Sequence, residues 1–297
     1  TFDLGVLEID KVIEGAGSEL FGAGPFEAQA VCTWDRDGEV VPIALPDDGA
    51  VVLSGENDYR VTIDNLIVGA DCTVTEMATG GATSSTIAPE GGAVTIPANE
   101  AGEQQSVTVT LTNTFDVTSL EVTKEVQGNL DAPGATGPFE VELVCEREVD
   151  GEVVSFEIPG GSVRELSDDN GLRSVYELLP VGAACELTET ETSDADGTQI
   201  TVALEGAAPE TTESTSAEVD LGLSTAPGQA RAVIVNAYDA DPVPPVIDDE
   251  SSDEGSGVGG PGLSQTGVAA AALAGVAALL TMLGLAMLAV RRRTAQR

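Results

Sequence analysis

The sequence has no histidine, and only two of its 297 residues, Lys11 and Lys124, are lysine. Lacking histidine, it lacks the commonest general base and the commonest metal ligand. Cations of either kind are scarce: 12 Lys and Arg stand against 51 Asp and Glu, for a net charge of −39. Such a surface stays soluble and repels nucleic acid, so no nucleic-acid partner is expected. Aromatic residues make up 3%, so the core must be built from Val, Ile, Leu and Ala. Trp34 and Tyr59 stand singly and read as packing rather than as a sugar platform. Asp35-Arg36-Asp37-Gly38 and Asp194-Ala195-Asp196-Gly197 lack the later carboxylate of a calcium loop and read as hairpin turns. With no nucleotide loop, nucleophile elbow or catalytic dyad in view, neither an enzyme nor a cofactor is expected, and no metal.

What is present is clearest at the C-terminus. Residues 268–290 carry no charge over 23 positions, about 34 Å as a helix, against a hydrocarbon core of about 30 Å. The basic tail 291–297 follows, with Arg291, Arg292 and Arg293 expected on the cytoplasmic side. Just before the span stand Leu263, Ser264, Gln265, Thr266 and Gly267. This pentapeptide resembles the LPxTG signal of sortase substrates, with Ser264 in place of the proline. The resemblance implies that sortase cleaves after Thr266 and joins its carboxyl to a peptidoglycan amine. The chain would then be a single-pass membrane precursor that ends anchored in the cell wall, at the cell surface. Residues 240–262 are rich in Pro, Gly, Ser and acid and read as a spacer.

The rest of the chain repeats itself at an offset of 113 residues: Gly24-Pro25-Phe26 returns as Gly137-Pro138-Phe139, and Asp37-Gly38-Glu39-Val40-Val41 as Asp150-Gly151-Glu152-Val153-Val154. Short alternating stretches broken by Gly, Asp-Gly and Pro, without a helical period, predict an all-β fold. We expect tandem Greek-key or Ig-like β-sandwiches over 4–117 and 118–239, followed by the linker and one C-terminal transmembrane helix. Thr1-Phe2-Asp3 precedes Lys11 as Thr114-Phe115-Asp116 precedes Lys124. Residues 1–3 are therefore expected to end a preceding repeat, with a signal peptide and an adhesive region, the carrier of any host or surface ligand, further upstream. An edge-to-edge array of such units makes a stalk.

Three residues per unit break the alternation. Side chains two apart share a face, which aims Lys11 and Lys124 inward with Leu7 and Ile9, or Leu120 and Val122. The same reasoning turns Glu76 and Glu189 inward with Cys72 and Val74, or Cys185 and Leu187, and Asn113 and Asn236 inward from the closing strands. Unpaired burial of these groups is costly, and an isopeptide bond removes the cost. Burial lowers the lysine pKa and raises that of the glutamic acid, so a neutral amine attacks the carboxamide while Glu76 or Glu189 relays protons and ammonia leaves. A salt-bridged Lys–Glu pair beside an ordinary Asn is the alternative. The first-strand lysine, the glutamate strands Cys-Thr-Val-Thr-Glu and Cys-Glu-Leu-Thr-Glu, and the closing strands Leu-Thr-Asn-Thr-Phe and Val-Asn-Ala-Tyr resemble the Cna B-type domains of Gram-positive adhesins and pilins. That resemblance implies autocatalytic Lys11–Asn113 and Lys124–Asn236 bonds. Neither glutamate strand is followed by that family's Ala-Pro-x-Gly-Tyr. The tandem units with paired cysteines are also similar to an actinobacterial surface-repeat family of unassigned function.

Cys32 and Cys72, and Cys145 and Cys185, face inward 40 residues apart in each unit, and outside the membrane they read as disulfides. On the chain-entropy account each is worth about 4 kcal/mol. The function expected is structural: a wall-anchored stalk, the C-terminal part of an adhesin. The alternatives are a pilus base subunit, and repeats that themselves bind a host or wall glycan.

Overall fold

The computed structural model describes residues 3–223 and 230–239. The preceding-repeat residues Thr1 and Phe2, the spacer 240–262, the sorting motif 263–267, the span 268–290 and the tail 291–297 lie outside the described residues. Among the described residues no helix is long and apolar enough to cross a membrane.

Two β-domains follow one another. In the first, β1 is Leu4–Glu14, β2 Phe26–Arg36, β3 Glu39–Ile43, β4 Ala50–Leu53, β5 Arg60–Ile67, β6 Asp71–Ala78, β7 Ser84–Ala88, β8 Ala93–Thr95 and β9 Ser106–Thr114. In the second, β10 is Val117–Gly128, β11 Phe139–Val149, β12 Glu152–Ser155, β13 Val163–Leu166, β14 Arg173–Pro180, β15 Ala184–Glu191, β16 Gly197–Ala203, β17 Glu210–Thr212, β18 Ser216–Asp220 and β19 Ala230–Tyr238. The first domain has sheets β5-β1-β9-β7 and β3-β2-β6-β8, with β4 added to β2. The second has β14-β10-β19-β16-β17 and β12-β11-β15-β18, with β13 added to β11. One short helix, α1 (Ser18–Phe21), follows β1.

Each domain closes one core between its two sheets. Leu7, Ile9, Phe26, Leu53, Ile96 and Leu111 fill the first; Leu120, Phe139, Leu143, Leu166, Tyr176 and Leu179 fill the second. Burial alternates along β1 and β10 as the two-residue period requires, and the buried set includes Lys11 and Lys124. First and last strands lie side by side and run parallel: β1 pairs with β9 over Val6–Glu14, and β10 with β19 over Leu120–Gly128. This pairing ties the entry of each domain to its exit.

The two domains do not join edge to edge. Among the described residues every sheet is confined to one domain. Contact is made instead by the β11–β12 hairpin, whose Asp150-Gly151 turn meets the Thr79–Gly81 loop of the first domain. The Arg147 guanidinium lies 4.9 Å over the Phe21 ring, and Phe21 meets Phe156 edge-on at 5.6 Å.

Candidate functional site

Parallel register places Lys11 opposite Leu111 and Ile13 opposite Asn113, so Lys11 and Asn113 are diagonal neighbours on the inner face of adjacent strands. Lys124 stands opposite Ile234, and Val126 opposite Asn236, in the same way. The glutamates arrive from the facing sheet, on β6 and β15, two positions beyond Val74 and Leu187 on the same strand face. Three strands from two sheets therefore deliver each cluster, and it exists only in the folded domain.

In the first domain Lys11 Nζ donates to Glu76 Oε1 at 2.6 Å, and Asn113 Nδ2 donates to the same oxygen at 2.9 Å. Asn113 Nδ2 also donates to the Thr79 carbonyl at 2.9 Å. In the second, Lys124 Nζ donates to Glu189 Oε1 at 2.5 Å, and Asn236 Nδ2 reaches that oxygen at 3.2 Å and the Thr192 carbonyl at 3.0 Å. One carboxylate oxygen thus touches both the amine and the amide nitrogen in each domain. Each Nζ also lies 4.7 Å over an aromatic ring, Phe26 or Phe139. The phenylalanine of the repeated Gly-Pro-Phe supplies that apolar floor.

Both lysine side chains are sealed from water, as is Glu189; Glu76 keeps 9% of its side-chain surface. Burial lowers the Lys11 pKa, and it lowers that of Lys124 to about 8; in both, the neighbouring carboxylate opposes burial without overcoming it. Burial likewise raises Glu189 above the ordinary carboxylate range, against the pull of Lys124 and of the Asn236 hydrogen bond. The second cluster is therefore pushed toward a neutral amine beside a neutral acid. Two buried polar atoms here have no hydrogen-bond partner among the described residues: the Asn113 carbonyl oxygen and Glu189 Oε2.

Thr198 was invisible to sequence reasoning. From β16 its hydroxyl donates to the Asn236 carbonyl oxygen at 3.0 Å. In the first domain that register position, opposite Asn113 on β7, is Ser85. Nothing sets Thr198 apart from the other threonines until the β16–β19 register is known.

Both disulfides are present, Cys32–Cys72 and Cys145–Cys185, each with S–S 2.00 Å. They join directly opposed residues on β2 and β6, and on β11 and β15. Each therefore clamps the glutamate strand to the strand carrying the aromatic floor. Among the described residues no group of three or more His, Cys, Asp or Glu side chains is placed to hold a metal.

The family described as "Domain of unknown function (DUF5979)" matches the chain twice, over residues 7–116 and 120–239. A comparison with curated proteins found no match. Among solved structures the chain is similar to the major pilin protein T-13 of Streptococcus pyogenes, at 16% identity and TM-score 0.49, covering 80% of this chain and 100% of that one. It is also similar to a single B repeat unit of the collagen-binding surface protein of Staphylococcus aureus, at 16% identity and TM-score 0.23, covering 80% and 100%. A third similarity is to an adhesin from Mobiluncus mulieris containing intramolecular disulfide, isopeptide and ester bond cross-links, at 15% identity and TM-score 0.31, covering 73% and 86%.

Proposed function

We propose that this chain, which belongs to the DUF5979 family through both of its domains, is a non-enzymatic surface stalk whose domains each close a lysine–asparagine isopeptide bond. One observation carries the reading: in both domains a single glutamate oxygen lies within hydrogen-bond reach of the lysine amine and of the asparagine amide nitrogen, beside a lysine side chain sealed from water. In the proposed reaction the neutral amine of Lys11 or Lys124 attacks Cγ of Asn113 or Asn236. The glutamate takes a proton from Nζ and delivers one to Nδ2. The Cγ–Nδ2 bond then breaks, ammonia departs, and an Nζ–Cγ amide remains with the glutamate in its starting state. Because first and last strands are neighbours, that amide would bridge the entry and the exit of the domain, and a pulling force would pass through it rather than through the sheets.

We further propose that sortase joins the Thr266 carboxyl to peptidoglycan after cleavage of the 263–267 motif, leaving 240–262 to cross the wall. Support for this is the order of motif, apolar span and basic tail in the sequence. With both lysines consumed internally, none of the 297 residues would supply a lysine amine for polymerisation.

Intact mass of the purified protein tests the cross-link. The expected result is the loss of one ammonia per domain, together with two hydrogens per disulfide, and proteolytic fragments joining Lys11 to Asn113 and Lys124 to Asn236. A protein lighter only by the disulfide hydrogens would overturn it. A cell-wall digest lacking any Thr266–peptidoglycan fragment would overturn the anchor.

A further inference from the structure

The Asn113 carboxamide has a link to the second domain that the reaction above does not use. Its Nδ2 is held by the Thr79 carbonyl at 2.9 Å. The same peptide unit presents its N–H, on Gly80, to the Asp150 carboxylate, at 3.2 and 3.1 Å to the two oxygens. Asp150 Oδ1 also accepts from the Thr79 N–H at 2.8 Å. Asp150 sits at the tip of the β11–β12 hairpin, so a carboxylate of one domain closes a hydrogen-bond chain that ends on the reacting carboxamide of the other. Arg147, from the same hairpin, adds a contact to the Gly81 carbonyl at 3.4 Å.

Both loop glycines adopt positive φ, 67° at Gly80 and 74° at Gly81, which lets successive N–H groups converge on one anion. An anion on the N–H side of a peptide strengthens its carbonyl as an acceptor, since bonds in a chain polarise one another. The Thr79 carbonyl in turn fixes the rotation of the carboxamide, and with it the face of Cγ open to Lys11.

The second domain achieves the same end from within. Asn236 Nδ2 donates to the Thr192 carbonyl at 3.0 Å, and the Tyr238 hydroxyl lies 3.0 to 3.2 Å from the carbonyls of Thr192, Ser193 and Gly134, to one of which it donates. The first domain has Phe115 at that place, two residues past its asparagine, and so no hydroxyl there. The loop that a tyrosine anchors in one domain is anchored by the neighbouring domain in the other.

We infer that Asp150 is a positioning residue for the first domain's cross-link, so that docking of the second domain promotes reaction of Lys11 with Asn113, while Lys124 and Asn236 react without outside help. This rests on the isopeptide reading. The test follows ammonia loss by mass after refolding unreacted full-length chain from denaturant, with each domain resolved by proteolysis. Asp150→Ala should slow the Lys11–Asn113 bond about fivefold, one hydrogen bond's worth, and leave the Lys124–Asn236 rate unchanged. Asp150→Asn, which retains a carbonyl acceptor, should recover part of the loss. Asp150 lies at φ 50°, where asparagine is tolerated better than alanine, so a defect of the turn itself is recognised by a slowed Lys124–Asn236 bond, which the positioning role leaves unchanged. Ammonia loss from the parent with first-domain rates equal in all three proteins overturns the positioning role alone. No ammonia loss from the parent overturns the isopeptide reading and this inference with it.

Discussion

The two domains carry the same lysine, glutamate and asparagine in different surroundings. Lys124, Glu189 and Asn236 sit in a fully closed site, with a hydroxyl on the carboxamide oxygen and a tyrosine holding the adjacent loop. Lys11, Glu76 and Asn113 sit in a site slightly open at the glutamate, with no donor to the carboxamide oxygen among the described residues and a loop held by the next domain. Repetition of a motif thus preserves the triad while the groups that tune it drift. Each domain must solve its own desolvation and orientation problem, and under the proposed isopeptide reaction the second should close its bond faster.

Four changes would break or sharpen that contrast. The largest effect is expected from Glu189→Ala, which leaves the Lys124 amine buried beside no acid. The second domain should then lose no ammonia and be destabilised by about 3–5 kcal/mol, with the first untouched; mass and thermal melting together read both. Next comes the double replacement of Cys145 and Cys185 by serine, expected to cost about 4 kcal/mol. The matching Cys32 and Cys72 replacement should cost the same, because the separation is 40 in both domains, and unequal costs in denaturant titration would show that strain rather than loop closure governs. Thr198→Val should slow the Lys124–Asn236 bond roughly tenfold to a hundredfold, toward the first domain's rate, by removing the donor to the oxygen on which negative charge develops; an unchanged rate would deny that hydroxyl a part. The smallest effect is that of pH. Burial has lowered the Lys124 pKa to about 8, so below that value each pH unit should reduce the free amine, and the rate, about tenfold. A flat profile between neutrality and pH 8 would exclude the amine as the limiting group.

Much of the site could be read from the chain alone. Alternation picked out Lys11, Glu76 and Asn113 as polar intruders on an apolar face, and the same three residue types recur at Lys124, Glu189 and Asn236. Two cysteines per unit at equal separation announced the disulfides. Several features stayed hidden. Phe26 and Phe139 lie far from the lysines in sequence and meet them only across the core. Asp150 belongs to an Asp-Gly turn whose local role explains it completely, so nothing marks it as a ligand for another domain. The expected edge-to-edge array was wrong because alternation says which face a strand buries and nothing about what its domain's ends will touch.

What the sequence by itself determined is therefore local: strand period, the inward polar residues, the turn sites and the repeat. Those follow from steric alternation and transfer free energy, which act within a few residues. Only the tertiary structure decided which oxygen faces which nitrogen, that first and last strands run parallel side by side, and that one domain's hairpin reaches the other's loop. Such matters depend on register and on sheet-to-sheet packing, where a shift of one residue turns every side chain to the opposite face.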